Sequence, residues 1–257
     1  DVCSSDLVYV NMTGGQDDLV FDGDSIIVDR DGKVVSRAPQ FEDGVYLTDV
    51  EVERRTSEPE LVISEESPVL EGRIHSAVAE RLSDEEEVWR ALVIGLGDYV
   101  KKNGFTSIAL GLSGGIDSAL VATIAVDALG RDRVFGVSLP SQFSSDHSLT
   151  DAKSLASNLG IDYRTIPIEP IVQSFKAATT LTGVAEENIQ ARVRGSLLMG
   201  LSNQEGHLIL ATGNKSELAV GYSTLYGDAV GGFAPIKDLF KVNVWRLRSE
   251  DHTSELQ

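Results

Sequence analysis

Residues Gly111–Ser118 read GLSGGIDS, and their types suit the binding of a phosphate chain. Gly114 and Gly115 carry no Cβ, so the backbone can approach a ligand closely and present its amides. Ser113 and Ser118 add hydroxyl donors, and a helix starting at Ile116 would aim its positive end at the same point. Asp117 is the odd member, because a carboxylate beside phosphate repels unless a cation sits between them. Mg²⁺ is held in this way, by one or two carboxylates plus phosphate oxygens, which makes Asp117 a ligand candidate. The loop is not a Walker A, since no Lys-Ser or Lys-Thr follows. A Gly-Gly pair alone is also an ordinary tight turn.

Two downstream stretches add polar groups. ENIQARVRG (Glu187–Gly195) puts Asn188 and Arg192 four residues apart, on one helical face, where an amide and a guanidinium could grip one polar ligand. A plain surface helix would look the same. ATGNKSELAVGYSTLYGD (Ala211–Asp228) follows an apolar run and carries Thr212, Lys215 and Glu217 at a strand tip. Glu217 could supply a second carboxylate for Mg²⁺ or simply complement a helix dipole. PIKDLFK (Pro235–Lys241) offers Lys237 and Lys241 as point charges for phosphate, or as ordinary exposed lysines.

The surrounding pattern is β-α-β-α. Ser83-Asp84-Glu85-Glu86 reads as a capping box, with Ser83 capping and Glu86 reaching back. Trp89, Leu92, Val93, Leu96, Tyr99 and Val100 then share one helical face, and Gly104 ends it. Strands are expected at Phe105–Leu112, Arg133–Pro140, Tyr163–Ile168 and His207–Thr212, with helices at Ile116–Leu129 and Ser148–Leu159 and through Ser202. Near-continuous apolar strands between helices predict a doubly wound parallel α/β sheet covered on both faces. Ligands bind beyond the carboxyl ends of such strands, which singles out the loops after Leu112, Pro140, Ile168 and Thr212.

The SGGIDS string resembles the pyrophosphatase loop of the ATP-pyrophosphatase superfamily, whose fold is adenine nucleotide alpha-hydrolase-like and whose members adenylate a substrate oxygen. All three motifs in this order, over about Ser83 to Leu247, resemble NAD⁺ synthetases. The resemblance implies that Gly111, Leu112, Ser113, Gly114, Gly115, Ile116, Asp117, Ser118, Thr212 and Lys241 bind ATP. It implies Asp117 and Glu217 as Mg²⁺ ligands, and Asn188, Arg192, Asp228 and Glu217 on the side of the dinucleotide substrate. The implied reaction is ATP-dependent amidation of deamido-NAD⁺ through an acyl-adenylate, releasing AMP and pyrophosphate. Leu225 stands where short ammonia-dependent members often carry lysine, which points to the long glutamine-dependent subtype. YVNMTGGQDDLVFDGDS (Tyr9–Ser25) agrees, resembling the end of the nitrilase-like glutaminase domain in those long enzymes. Its Glu-Lys-Cys catalytic set would lie upstream, and nothing in this chain matches it.

The organisation expected is therefore a nitrilase-like remnant over 8–52, an acidic linker over 53–82 and a carboxyl-truncated synthetase domain over 83–248. Within the first part, Ser25–Val28 and Lys33–Arg37 read as a hairpin closed by Asp29-Arg30-Asp31-Gly32. The ends, 1–7 and 249–257, resemble translated sequencing adapter. Suitable codons for DVCSSDL encode RSEEHT on the opposite strand, and the chain closes with RSEDHT before its last four residues. Cys3 lies in that segment and is not taken as a nucleophile.

Composition narrows the classes. The 257 residues carry a formal charge of −18, which argues against a broad basic face for nucleic acid. No apolar run is long enough to span a bilayer, so no membrane partner is expected and the cytoplasm is the expected location. One cysteine excludes an internal disulfide framework, and four scattered histidines argue against zinc. Small-molecule ligands and homo-oligomers of the full-length parent are the expected partners. The rivals are another amidotransferase of the superfamily, such as a GMP synthetase, and an inactive truncated nucleotide-binding fragment.

Overall fold

The computed structural model describes residues 6–50, 61, 72, 74 and 77–249. Most of the expected linker and adapter segments lie outside those residues, as does Cys3. The chain divides into two compact units, one of Asp1–Thr13 with Phe21–Leu82 and one of Gly14–Val20 with Ser83–Gln257.

In the first unit β1 (Leu7–Tyr9) pairs antiparallel with β4 (Ile26–Val28). The intervening hairpin of β2 (Thr13–Gln16) and β3 (Leu19–Asp22) is a separate two-stranded sheet, most of it in the segment Gly14–Val20 of the second unit. β4 pairs antiparallel with β5 (Val34–Arg37), Ile26 opposite Arg37 and Val28 opposite Val34. This is the expected hairpin. Gly32 takes φ 81°, and Asp29 Oδ1 accepts from the amides of Asp31 and Lys33, which ties the turn to its first residue.

The second unit opens with α1 (Asp84–Lys102), capped by Ser83, whose Oγ accepts from Glu86 N at 3.2 Å. Only half of the expected capping box forms. The Glu86 carboxylate pairs instead with Arg90 one turn on, at 2.7 Å, because a cation outcompetes a neutral backbone amide. Trp89, Leu96 and Val100 bury the apolar stripe.

Then follow β6 (Ile108–Gly111), α2 (Ile116–Leu129), β7 (Val134–Ser138), α3 (Asp146–Leu159) and β8 (Asp162–Thr165). α4 (Glu169–Ala178), α5 (Val184–Glu205), β9 (Leu208–Leu210), α6 (Lys215–Val220) and α7 (Lys241–Ser249) complete the order. The four strands form a parallel sheet in the order β8-β7-β6-β9. They are shorter than the apolar runs suggest: β6 begins at Ile108, not Phe105, and β7, β8 and β9 end at Ser138, Thr165 and Leu210, where the neighbouring strands diverge into the loops at the carboxyl edge. α3 starts two residues earlier than expected, since Ser145 caps it by accepting from Ser148 N at 3.1 Å.

Strand alternation divides the core. Ile108, Leu110, Val134, Leu208 and Leu210 face the cluster built by α1, α2, α3 and α7. Ala109, Val137 and Ile209 face the other cluster, with Ile168, Val172, Val193 and Leu198 from the α4–α5 side. The fold is thus the expected doubly wound α/β sheet, buried on both faces. α2 is its pivot: Leu120, Val121, Ala122, Ile124 and Ala125 are fully buried, so this helix has almost no solvent face. Among the described residues no helix is long and apolar enough to cross a membrane.

A polar chain fastens the amino edge of the sheet. Ser107 Oγ meets His207 Nδ1 at 2.7 Å, His207 Nε2 meets Glu205 Oε2 at 3.1 Å, and Glu205 Oε1 accepts from Arg164 at 2.6 Å. The Arg164 guanidinium, aided by His207, holds the Glu205 carboxyl below its usual value of 4.5. A depressed carboxyl pKa stabilises the fold above the unfolded value, and that contribution disappears as pH falls through the lower native value. Glu205→Gln is therefore expected to lose stability at neutral pH. Urea unfolding should show the gap to the parent closing below about pH 4.5.

Candidate active site

Everything singled out around the sheet's carboxyl edge belongs to the second unit. The strand order reverses at β6: the chain steps to β7 and β8 on one side, then returns to β9 on the other. The loops after β6 and β9 therefore part at a topological switch point, the usual ligand crevice of such sheets. Asn214, fully buried at the start of α6, bridges them. Its Nδ2 donates to Asp117 Oδ1 at 3.1 Å, and its Oδ1 accepts from Glu217 N at 3.0 Å. Asn214 N in turn donates to Glu217 Oε2 at 3.1 Å, completing a capping box. Asp117 Oδ2 accepts from Lys241 Nζ, at the start of α7. One amide thus gathers three of the expected residues: Asp117, Glu217 and, through Asp117, Lys241.

The glycine loop is built as its residue types suggest. Ser118 Oγ meets Ser113 Oγ at 3.1 Å and donates to Gly115 O at 2.9 Å, so the two serines brace the turn from within. Gly114 sits at φ 79°, and a Cβ there would fall 2.3 Å from the Ser148 carbonyl oxygen. α3 packs directly under the loop, and only glycine fits.

Beside the loop opens a cleft of about 390 Å³. Gly111, Leu112, Ser113 and Thr212 line it on the sheet side, with Ser138, Leu139 and Pro140 from β7 and its loop. Ser145 and Ser148 of the α3 amino end, Arg194 of α5, and Asp228 complete the polar lining. The size and the mixture of apolar walls with a few polar groups suit a small organic ligand.

Asn188 and Arg192 do share a face of α5, but what they grip is the loop Ser223–Asp228. Asn188 Oδ1 accepts from Thr224 Oγ1 at 3.0 Å, and Arg192 Nε donates to Leu225 O at 3.2 Å. Asp228 closes the same loop by accepting from Thr224 N at 2.6 Å. Gly195, one turn along that face, allows the contact: a Cβ there would lie 2.9 Å from Gly227 O. Lys237, offered either to phosphate or as an ordinary exposed lysine, pairs with Asp18 at 2.7 Å, which raises its pKa. Lys215 lies over the Phe240 ring, 5.1 Å from its centre.

Sequence reasoning missed two residues. Asn214 was legible as the first residue of an Asn-x-x-Glu cap. Arg194 left no such signal; its Nε donates to Leu139 O at 2.9 Å, and burial lowers its pKa. As for metal, no group of three or more His, Cys, Asp or Glu side chains gathers among the described residues. The donors at hand are Asp117 and the Glu217 oxygen that Asn214 leaves unused. Two carboxylates joined through Asn214 beside the glycine loop would fit Mg²⁺, which keeps several waters in its shell, and do not make a closed protein cage.

An open parallel sheet with a glycine loop and an acid–amide–lysine cluster at its switch point defines a doubly wound α/β protein with its candidate site at the strands' carboxyl edge. The comparisons narrow this. Residues 88–252 match the NAD synthase family model, and residues 7–58 match the carbon-nitrogen hydrolase model. The chain belongs to the NAD synthase family. It is 48% identical over 247 residues to the glutamine-dependent NAD(+) synthetase of Synechocystis sp., covering 94% of this chain and 42% of the relative. The corresponding protein of Aquifex aeolicus is 47% identical over 262 residues, with 94% and 46% covered. The chain therefore spans less than half the length of these curated relatives. Among solved structures, glutamine-dependent NAD+ synthetase from Acinetobacter baumannii, in complex with ADP, superposes with a TM-score of 0.83 at 43% identity. That match covers 94% of this chain and 44% of that one.

The fit of Gly114 against α3 is open to direct test. Gly114→Ala combines an unfavourable positive φ with a backbone clash and should cost about 2 kcal/mol or more in unfolding free energy. At Gly115 a Cβ would meet only the rotatable Ser113 hydroxyl, at 3.2 Å, so Gly115→Ala should cost well under half as much. Denaturant titration of both variants compares the two.

Proposed function

We propose that the protein amidates the nicotinate carboxylate of deamido-NAD⁺ to give NAD⁺, consuming ATP and releasing AMP and pyrophosphate. The observation that carries this reading is the glycine loop running into α2 beside the Asn214-linked cluster of Asp117, Glu217 and Lys241. Family membership and the likeness to an ADP complex support ATP as the nucleotide.

A carboxylate resists ammonia because its leaving group would be oxide, so it is activated first. A carboxylate oxygen attacks the α-phosphorus of ATP, the bond from that phosphorus to the bridging oxygen breaks, and pyrophosphate leaves with the electron pair. The amide of Gly114, with the α2 amino end, holds the departing pyrophosphate, and Lys241 offsets its charge; the Gly115 amide, which donates to Ser113 Oγ at 3.2 Å, braces the loop. Ammonia then attacks the acyl carbon with its lone pair and the bond to AMP breaks. The nitrogen passes its extra proton to solvent. When bound at Asp117 and Glu217, Mg²⁺ supplies charge neutralisation to the phosphates. The cleft beside the loop takes the adenosine portion, and the Ser223–Asp228 loop, held by Asn188 and Arg192, forms the dinucleotide side.

In the longer chain, ammonia comes from glutamine hydrolysed by a carbon-nitrogen hydrolase domain, to which residues 7–58 correspond. We place the domain limits at 8–52, 53–82 and 83–248, and the protein in the cytoplasm. Val220, Tyr222, Leu225 and Tyr226 are exposed around the dinucleotide side, which supports a homo-oligomer in which a neighbouring copy covers them.

Ammonium salts supply the nucleophile without the glutaminase. Incubation with Mg-ATP, deamido-NAD⁺ and ammonium should release AMP and NAD⁺ in equal amounts, measured by chromatography on this chain and on one extended to the length of its relatives. Xanthosine monophosphate in place of deamido-NAD⁺ should give none, and a response to it would favour a GMP synthetase-like activity. Failure of both chains to form NAD⁺, while folded and binding ATP, would overturn the substrate assignment.

A further inference from the structure

Each oxygen of the Asp117 carboxylate already has a partner: Oδ1 accepts from Asn214 Nδ2 at 3.1 Å and Oδ2 accepts from Lys241 Nζ. The two partners differ in how easily they can leave. Asn214 is fully buried, and its other groups are committed to Glu217 through both halves of the capping box. Turning its amide away would break that box. Lys241 is held only at its backbone, where its N–H donates to Ser216 Oγ at 3.0 Å. Its ammonium rides on a flexible four-carbon stem, and the Lys241 side chain is 36% exposed, whereas the Asp117 side chain is 19% exposed. Asn214 therefore fixes Asp117 in place, and Lys241 is the exchangeable partner.

A divalent cation that uses Asp117 Oδ2 must take the position of the lysine charge. Without phosphate nearby, that exchange strands an ammonium beside an incoming dication, and like charges resist it. With a nucleotide on the glycine loop, the displaced ammonium gains phosphate oxygens and the exchange becomes favourable. We propose that Lys241 is a resident counter-ion for Asp117, one that makes divalent-cation binding at this carboxylate conditional on bound nucleotide. By linkage the dependence is reciprocal: metal and nucleotide each raise the affinity for the other, and the lysine sets the size of that coupling. Lys241 is in this respect a positioning residue, acting on the metal through Asp117. The inference rests on the proposed reading of the site as a nucleotide and Mg²⁺ site.

The test uses Mn²⁺ as the probe, following its free electron paramagnetic resonance signal during titration of the folded chain. Parent, Lys241→Met and Lys241→Arg are compared without nucleotide and with an α,β-methylene analogue of ATP, which cannot be cleaved at the reacting bond. Without nucleotide, Lys241→Met should bind Mn²⁺ about tenfold more tightly than the parent, on the scale of one partly screened ion pair. Lys241→Arg should stay near the parent, and Asp117→Asn placed on Lys241→Met should abolish the gain. With the analogue's own Mn²⁺ binding subtracted by a protein-free titration, the analogue should tighten Mn²⁺ binding to the parent more than to Lys241→Met. Thermal melts give a second readout, since Mn²⁺ alone should raise the midpoint of Lys241→Met more than that of the parent. If Lys241→Met does not fold, Lys241→Gln takes its place. Equal or weaker nucleotide-free binding by the uncharged variant would overturn the proposal. If the parent still gains Mn²⁺ affinity from the analogue, that failure leaves the nucleotide–metal reading standing; if it does not, both fall.

Discussion

Asn214 is the constraint on which the carboxyl edge of the sheet depends. A parallel sheet whose strand order reverses leaves two loops diverging over a gap, and something must hold them at a fixed separation. Here a single buried amide does so, giving one hydrogen to Asp117 on the β6 side and capping α6 on the β9 side. A buried amide with unsatisfied groups is costly, so the geometry is narrow: each loop is held where the other needs it. Asp117, Glu217 and Lys241 inherit their arrangement from that residue.

Beneath this edge, the core supplies rigidity from two sides. Each strand gives alternate residues to two separate apolar clusters, so none of the strands can slide by one residue without exchanging its two faces. α2 carries the glycine loop at its amino end and is buried almost all round. The loop is thus mounted on an element whose packing resists rotation, and Ser148 of α3 lies directly against Gly114. At the opposite edge, the Ser107–His207–Glu205–Arg164 chain fastens the starts of β6 and β9 to β8.

Much of this was legible in the sequence, and the gaps have physical causes. Alternation of apolar runs with helical stripes announced the sheet, since burial on both faces leaves no other reading for runs such as SIALGL. The glycine loop and its acid were legible because few other residue types allow that turn. Strand ends were not, because the apolar pattern continues past the last paired residue into the walls of the cleft. Glu86 shows the limit of local rules: its capping role was sound by spacing, but Arg90 lay one turn away with a full charge. Arg194 was invisible for a different reason. Its position depends on a carbonyl 55 residues earlier in the chain, and no local pattern encodes such a contact. Asn188 and Arg192 were rightly paired on one face, but only the folded chain places the Ser223–Asp228 loop against them.

The way Arg192 holds that loop bears on how the family can diversify. The guanidinium reads a main-chain oxygen at Leu225, not its side chain, which points to solvent and is 69% exposed. Every residue type, proline included, carries this main-chain carbonyl oxygen. The anchor is therefore blind to mutation at this position, and variation can rewrite the exposed surface of the loop while the tether stays intact. A side chain of any type can occupy this backbone path, so the exposed face of the loop can change without rebuilding the scaffold beneath it.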